Sequence, residues 1–209
     1  MPETGPVTDA GQPERIAIER AEIAYAGYFR IDRYTLRHRK HDGTWSDSMT
    51  REVFERGHAV AVLPYDRRDD SVILIEQLRA GALAAGKSPW QIEVIAGIID
   101  PGETPEAVAH RESREESGLV LHHLTPLYHY LVSPGGSSET VRLYAAAADS
   151  RRAGGVHGLD AEHEDILVRV MPFAEAWSLV DSGRIDNAPT IMALQWLALN
   201  RDLLPAPPE

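Results

Sequence analysis

Residues 97–119, GIIDPGETPEAVAHRESREESGL, join a glycine-containing turn to a strongly acidic helical segment. Thr104 is a good N-cap residue, and Pro105 suits the first position of a helix. Gly118 suits the position just after a helix, so the pattern predicts a helix from about Pro105 to Ser117. The residues before the turn predict a strand, which would end beside the start of this helix.

Three glutamates of the predicted helix share one face. Glu112, Glu115 and Glu116 fall within an arc of roughly 100° when each residue turns the helix by about 100°. Like charges at these spacings cost roughly 0.2–0.5 kcal/mol a pair, and the last helical turn favours cations over anions. Arg111 and Arg114 offset part of the repulsion. The alternatives are a solvated charged surface or a site for hard divalent cations, which prefer several oxygen ligands.

The spacing of the glycines and acids decides between these alternatives. The stretch matches the Nudix box: a glycine, five residues, a glutamate, seven residues, then Arg-Glu-apolar-any-Glu-Glu-any-Gly-apolar. Seven fixed matches would arise by chance in about one chain in 10⁶ of this length. The first apolar position holds Ser113, which is expected to loosen helix packing without removing a ligand. The chain therefore resembles the Nudix hydrolase superfamily. The matching residues are Gly97, Glu103, Arg111, Glu112, Glu115, Glu116 and Gly118.

The resemblance implies a role for each part of this motif. Glu112 and Glu116 correspond to the main metal carboxylates, and Glu115 corresponds to a further ligand, directly or through water. The carbonyl of Ala96 corresponds to a backbone ligand at the strand end. The implied cofactor is Mg²⁺, as two or three ions, although Mn²⁺ also suits these oxygen ligands. The structural residues of the motif are Gly97, Glu103, Arg111 and Gly118, with an ion pair expected between Glu103 and Arg111.

Composition restricts the class of protein. The chain has 209 residues, of which 43% are hydrophobic and 25% charged, as in soluble globular proteins. It has no cysteine, which excludes disulfides and thiolate metal sites, and its formal net charge of -11 argues against general nucleic-acid binding. The N-terminus lacks the pattern of a signal peptide, and no apolar run approaches the length of a membrane span. These features predict a cytoplasmic protein without nucleic-acid or membrane partners.

Strand and helix patterns predict an α/β protein in two parts. Residues 15–56 are strand-like, with a hairpin signal at Asp42-Gly43, and predict a small N-terminal antiparallel β unit. Residues 57–204 contain strands and helices in the order expected for a sheet covered on its faces. The resemblance implies that this second part has the Nudix fold, an α/β/α sandwich around a mixed sheet.

Four shorter segments complete the predicted organisation. GALAAGKSP at 81–89 is predicted to be a loop, and WQIEVIAGIID at 90–100 a single strand. The Pro- and Gly-rich residues 1–14 and the closing residues 205–209 are predicted to be disordered tails.

A narrower resemblance, to bacterial ADP-ribose pyrophosphatases, extends from about Tyr25 to Leu199. It implies Mg²⁺-dependent hydrolysis of the pyrophosphate bond of ADP-ribose to AMP and ribose 5-phosphate. The alternatives are hydrolysis of another nucleotide sugar, such as GDP-mannose or ADP-glucose, and a Nudix ligand sensor without catalysis. The matching segments outside the box are REVFERGHAVAVLPYD, ILIEQLR, SPGGSSE, HGLDAEHEDI and IDNAPTIMALQWLAL.

Two polar loops gain a function only through this resemblance. By itself SPGGSSE at 133–139 is a hairpin loop, and HGLDAEHEDI at 157–166 a solvated linker. By resemblance, Ser133 lies near the terminal ribose and Glu139 near the metals and phosphates. Glu162 corresponds to the general base, and Glu164 is the neighbouring candidate.

The resemblance also implies a substrate-binding set and a homodimer. Tyr28 and Arg51 correspond to the residues that hold adenine, since aromatic and guanidinium planes stack on a purine. Arg51 would come from the other subunit, so the N-terminal β unit would be exchanged between two copies. Arg79 corresponds to a phosphate ligand, and Ile98 offers its backbone to the substrate.

Overall fold

The computed structural model describes residues 5–9 and 11–208, except for the side chain of Glu162. It divides the chain into two compact units. The first comprises the residues up to His58 together with Tyr130–Thr140, and the second comprises Ala59–His129 together with the residues from Val141 onward. The loop SPGGSSE belongs to the first unit, whereas the sequence-based boundary groups it with the second.

The two predicted tails are described only in part. Residues 1–4 and 10 of the first tail, and residue 209 of the second, lie outside the described residues. No helix in the described part of the chain is long and apolar enough to cross a membrane.

The first unit contains a three-stranded antiparallel sheet in the order β1 (Ile16–Ala26), β2 (Arg30–His38) and β3 (Met49–Glu55). The turn between β2 and β3 uses Gly43 at a φ of 84°, a conformation that glycine adopts without strain. The sequence prediction of a small antiparallel β unit is confirmed.

The remaining elements form the larger part of the fold. Its strands are β4 (Ala59–Asp66), β5 (Ser71–Leu78), β6 (Trp90–Glu93), β7 (Ile95–Ile98), β8 (His122–Leu131), β9 (Thr140–Ala147), β10 (Val156–His157) and β11 (Ile166–Pro172). Its α-helices are α1 (Ala80–Ala84), α2 (Pro105–Ser117), α3 (Phe173–Asp181) and α4 (Ala188–Asn200), and short 3₁₀ helices cover Ser150–Arg152, Asp160–Glu162 and Arg201–Leu203.

The segment predicted as a loop at 81–89 is partly helical, so that prediction was wrong for α1. The carbonyl of Arg79 accepts hydrogen bonds from the amides of Ala82 and Leu83, which starts a single helical turn. Alanine and leucine favour this conformation, and the helix is too short to show apolar periodicity in the sequence.

The eight-stranded sheet is mixed, in the order β10-β11-β5-β4-β9-β8. Strand β4 runs parallel to β9 and antiparallel to β5. However, β4 and β5 pair only through Tyr65–Val72 and Asp66–Ser71, close to the turn that joins them. Beyond that point the two strands separate, and β6 pairs with β5 while β7 pairs with β4. The predicted single strand at 90–100 is therefore two strands that meet at Val94.

Helices cover both faces of this sheet, as the predicted α/β/α sandwich requires. On one face Val60 and Val62 join Val108 and Ala109 of α2 in a buried apolar cluster. Side chains alternate along a strand, so Ala61 and its alternate neighbours point to the opposite face, where α4 contacts β4. The fold class predicted from the sequence is confirmed.

Helix α2 begins and ends where its sequence predicts. Thr104 Oγ1 accepts a hydrogen bond from the amide of Ala107 at 3.2 Å, and Gly118 closes the helix in the left-handed conformation at a φ of 69°. The amide of Leu119 donates to the carbonyl of Ser113, which satisfies one of the free carbonyls at the helix end.

Replacement of Ser113 with alanine should raise the free energy of unfolding by about 1 kcal/mol, which corresponds to a melting temperature about 2–4 °C higher. Ser113 is fully buried, and its hydroxyl has no hydrogen-bond partner among the described residues. Thermal or urea denaturation would measure the change. Ser117→Ala is the matched control, because the Ser117 hydroxyl donates to the Ser113 carbonyl at 2.6 Å and its loss should destabilise. A destabilised Ser113→Ala variant would contradict this prediction.

Candidate active site

Glu116 is a buried carboxylate with few hydrogen bonds. Its side chain is on α2, and only 3% of the residue's surface is exposed. Oε2 accepts a hydrogen bond from the amide of Ala96 at 3.1 Å, and the Gln77 amide lies 3.5 Å from Oε1. Burial raises the pKa of Glu116 to about 8, against an ordinary value of 4.5. A buried carboxylate that is not paired with a positive charge lowers the stability of the folded state, and a bound cation would offset this loss.

Glu112 occupies space that only a glycine leaves free. A Cβ placed on Gly97 of β7 would lie 1.7 Å from Glu112 Oε1, so the carboxylate lies directly over the glycine backbone. Burial raises the pKa of Glu112 to about 7, and Arg111 partly opposes that change. The lack of a side chain at Gly97 therefore allows the second main acid to reach the end of β7.

Arg111 forms the predicted ion pair with Glu103 and also contacts two other acids. Its guanidinium donates to both carboxylate oxygens of Glu103, each at 3.1 Å. Nη1 also donates to Glu112 Oε1 at 2.8 Å and to Glu115 Oε2 at 3.0 Å. These carboxylates, Glu103 first, raise the pKa of Arg111 above its ordinary value. The repulsion expected among the glutamates is thus offset by an arginine of the same helix.

The donor set fits divalent cations, although the carboxylates are turned toward Arg111. Among the described residues, no three Asp, Glu or His side chains are arranged so that they would hold a metal ion. The reason is geometric, because Glu112 and Glu115 both bind Nη1 of Arg111. The chemistry nevertheless suits hard cations, since Glu116 is buried, Glu112 is half-buried, and both offer only oxygen atoms. The charge of Glu164 further raises the pKa of both acids, so a third carboxylate is close to them.

Arg79 and Ile98 lie at the edge of this acidic cluster. Arg79 Nε donates to Glu93 Oε2 at 2.6 Å, and its charge lowers the pKa of Glu116, which places it within electrostatic range of that acid. Ile98 is the last residue of β7, and Arg111 Nη2 lies 3.5 Å from its carbonyl oxygen.

The loop at 157–166 is attached to the end of α2. The amide of Gly158 donates to the carbonyl of Glu115 at 3.3 Å. Glu164 folds back on its own loop, where Oε2 accepts a hydrogen bond from the amide of Leu159 at 3.1 Å. Glu162 ends a 3₁₀ helix that starts at Asp160, and its side chain lies outside the described residues. The predicted base therefore belongs to a loop that begins next to the acidic face of α2.

The other candidate residues belong to the first unit. Tyr28 is 75% exposed and packs edge-on against Phe29, with ring centroids 4.8 Å apart. Arg51 donates to the carbonyl of Thr50, and it makes no ring contact with Tyr28 within the described chain. The carbonyl of Ser133 accepts hydrogen bonds from the amides of Gly136 and Ser137.

Glu139 has charged and aromatic neighbours that sequence reasoning missed. Arg56 Nη1 lies 3.6 Å from Glu139 Oε1, and the Arg56 guanidinium lies 5.5 Å from the centroid of the Phe29 ring. Burial raises the pKa of Glu139 above its ordinary value, although Arg56 opposes the change. Arg56 follows directly after β3, and the local sequence REVFERG does not distinguish it from the other charged residues of that segment.

Gln77 and Glu93 were also missed in the second unit. Gln77 is buried beside Glu116, and Glu93 pairs with Arg79. Gln77 had a detectable signal, because it follows the apolar run SVILI of β5, where a polar residue that becomes buried needs a polar partner.

Without divalent metal, the free energy of unfolding should fall by an amount on the order of 5 kcal/mol between pH 5 and pH 8. Glu112 and Glu116 have folded-state pKa values of about 7 and about 8, above the ordinary 4.5. A raised acid pKa contributes stability that is present below the unfolded-state value and is lost as the pH rises through the folded-state value. Urea titrations in EDTA would measure this slope. Glu116→Gln should flatten it, and a rising stability across this window in both proteins would contradict the prediction.

Comparisons with known proteins identify the family and agree with this fold. A family model of the NUDIX domain matches residues 55–194. The chain is 43% identical over 189 residues to the ADP-ribose pyrophosphatase of Escherichia coli strain K12, with 90% of each chain covered. It is 34% identical over 184 residues to the GDP-mannose pyrophosphatase of Yersinia pestis strain Pestoides F, covering 87% of this chain and 90% of that relative. A crystal structure described as an ADP compounds hydrolase shares the fold, with a TM-score of 0.68 at 23% identity over 89% of this chain and 96% of that one. This chain belongs to the NUDIX family.

Proposed function

We propose that the protein hydrolyses the pyrophosphate bond of ADP-ribose to AMP and ribose 5-phosphate with the help of divalent cations. The observation that carries this proposal is the pair of acids Glu112 and Glu116, held against Gly97 and Ala96 of β7, in a chain that is 43% identical to a relative named ADP-ribose pyrophosphatase. Enzymes of this family are hydrolases, and the acidic helix face is where the pyrophosphate would bind.

The proposed cation ligands are the acids of α2 and the end of β7. Glu112 and Glu116 would be the main ligands, with Glu115 and the carbonyl of Ala96 as further ones. Mg²⁺, as two or three ions, is the proposed cofactor, and Mn²⁺ also suits these oxygen atoms. Such cations, when bound, would offset the charge of a pyrophosphate and polarise its phosphoryl oxygen atoms.

Side chains and backbone groups of the protein would position the water and the substrate. Glu162 is proposed to accept the proton of the attacking water. Glu164 is the neighbouring candidate, because its charge raises the pKa of both Glu112 and Glu116. The attack is proposed at the adenosyl phosphorus, so that oxygen from water enters AMP. Arg79 would hold a phosphate, and the backbone of Ile98 would contact the substrate.

Four residues of the first unit complete the proposed substrate set. Tyr28 is exposed and would stack on adenine together with Arg51, which the partner copy would supply. Ser133 would contact the terminal ribose, and Glu139 would act near the phosphates. This arrangement requires a homodimer with exchanged N-terminal units, and a cytoplasmic location is proposed with it. Light scattering would give the mass in solution, and a monomer that remains fully active would contradict the exchange.

Incubation of the protein with ADP-ribose and Mg²⁺ tests the proposed reaction directly. Chromatography should show AMP and ribose 5-phosphate, and the reaction should stop in EDTA. In ¹⁸O-labelled water, the label should enter AMP. An absence of cleavage at micromolar enzyme would refute the function, and label in ribose 5-phosphate would refute the choice of phosphorus.

Hydrolysis of another nucleotide sugar is the second candidate. The match to a GDP-mannose pyrophosphatase at 34% identity favours it, although the identity is lower than that to the ADP-ribose pyrophosphatase. A panel of ADP-ribose, ADP-glucose and GDP-mannose, ranked by kcat/KM with both Mg²⁺ and Mn²⁺, would decide between them.

A further inference from the structure

The chain changes its pairing partner in the middle of the segment that leads to the proposed cation site. Residues 90–93 form β6 and pair with β5, whereas residues 95–98 form β7 and pair with β4. Val94 lies between these strands and is 1% exposed. Its amide belongs to neither ladder, so a buried backbone donor needs a partner from elsewhere.

That partner comes from the start of α4, about a hundred residues along the chain. Thr190 is fully buried, and its Oγ1 accepts a hydrogen bond from the amide of Val94 at 2.9 Å. Asn187 Nδ2 donates to the carbonyl of Ile92 at 2.8 Å. Asn187 Oδ1 also caps α4 by accepting a hydrogen bond from the amide of Thr190. Two side chains at the start of α4 therefore hold the crossing, the point at Val94 where the chain passes from β6 to β7, through one backbone carbonyl and one backbone amide.

The held segment continues directly into the cation site. Two residues after Val94, the Ala96 amide donates to Glu116 Oε2 at 3.1 Å. The next residue, Gly97, lies beneath the carboxylate of Glu112. Any slip of the crossing would move this amide and this glycine relative to both acids of α2.

We propose that Thr190 and Asn187 are positioning residues of the hydrolytic site, which fix the crossing at Val94 and thereby hold Ala96 and Gly97 against Glu116 and Glu112. The inference rests on the proposed function, since it assigns these acids to cation binding. It also gives a role to Thr190 and Asn187 of the segment IDNAPT, whose side chains bond to the backbone of residues 92 and 94.

The bonds from Thr190 to the Val94 amide and from Asn187 to the Ile92 carbonyl are here called the clamp. Two substitutions each remove one of these bonds. Thr190→Val keeps the shape of the side chain but removes the acceptor for the Val94 amide. Asn187→Asp keeps the cap acceptor for α4 but removes the donor to the Ile92 carbonyl. Thr190→Ser retains the hydroxyl and is the rescue variant. Asn200→Ala is the matched control, because Asn200 Nδ2 donates to the Trp196 carbonyl at 2.8 Å at the other end of α4.

The readouts include two that do not require turnover. Mn²⁺ binding, followed by electron paramagnetic resonance, should weaken about 10–100-fold in Thr190→Val and Asn187→Asp, as is typical when the support of a metal ligand is removed. Amide hydrogen exchange at Val94 and Ala96 should become faster in both variants. The same variants should lose kcat for ADP-ribose more than they raise KM. Thr190→Ser should stay near wild type in all three measurements.

The outcomes separate this inference from the proposed function. If both clamp variants lose stability as Asn200→Ala does, but keep wild-type Mn²⁺ affinity and Ala96 exchange, the positioning role is refuted. If wild-type protein does not cleave ADP-ribose, the proposed function fails, while Mn²⁺ binding and amide exchange still decide whether the clamp acts on the acidic site. If Thr190→Val does not fold, Asn187→Asp alone decides.

Discussion

Replacement of Glu116 with glutamine should lower kcat for ADP-ribose by roughly 10³-fold or more, since a lost cation ligand removes several kcal/mol of transition-state stabilisation. The metal-free protein should be at least as stable as wild type at pH 8. Glu116 is 3% exposed, and burial raises its pKa to about 8, so a neutral amide removes a costly charge. The glutamine oxygen can still accept the hydrogen bond from the Ala96 amide. Steady-state kinetics and urea denaturation in EDTA would measure the two effects.

The opposite signs of these two effects identify the role of Glu116. A residue that matters only for folding would lose activity and stability together. Glu106→Gln is the matched control on the same helix, because Glu106 accepts a hydrogen bond from the Tyr144 hydroxyl at 2.8 Å instead of facing β7. It should keep kcat close to wild type. If the Glu116→Gln enzyme retained a tenth of wild-type kcat, Glu116 would not be a ligand of the catalytic cations.

Replacement of Gly97 with alanine should lower kcat/KM by about 10²-fold or more with little loss of stability, since displacement of a catalytic group by about 1 Å costs this much. The added Cβ would lie 1.7 Å from Glu112 Oε1 and 2.1 Å from its Cδ. The side chain of Glu112 can rotate away, so the fold should survive while the carboxylate leaves its position. Mn²⁺ affinity should fall with the activity.

Gly81→Ala is the matched control for the added methyl group. A Cβ on Gly81 would meet nothing within 4 Å, and Gly81 lies in the short helix α1, where alanine is favoured. This variant should keep wild-type kcat/KM and Mn²⁺ affinity. If Gly97→Ala unfolds, or if it binds Mn²⁺ as tightly as wild type, the proposed relation between Gly97 and Glu112 is wrong.

Local signals explain why helix α2 could be predicted to the residue. Thr104, Pro105 and Gly118 each act on their immediate neighbours, and the acids between them follow a fixed spacing. The ion pair of Arg111 with Glu103 followed from the motif and is present. The additional bonds from Arg111 to Glu112 and Glu115 depend on side-chain rotamers, which spacing alone does not determine.

Long-range pairing explains what the sequence did not reveal. WQIEVIAGIID is continuously strand-like, so the change of partner at Val94 has no local marker. It depends on the separation of β4 from β5 and on Thr190, which lies 96 positions later in the chain. The placement of SPGGSSE with the first unit likewise depends on contacts such as the bond from the Phe54 amide to the Gly136 carbonyl. Neighbouring residues alone cannot encode either feature.

The loop that carries Glu162, residues 157–166, is joined to the fold at both ends and acts as a tether of fixed length. One end is held where His157 pairs with Ile166, and the Gly158 amide is bonded to the Glu115 carbonyl. A chain of nine peptide links closed at both ends can extend its tip by at most about 15 Å, half of its contour length. A proton acceptor on this loop can therefore reach only a water molecule that binds within that distance of the end of α2 plus the length of the acceptor's own side chain. The length of the tether thus sets, independently of any pocket shape, the largest distance from α2 at which a residue of this loop can contact a bound substrate.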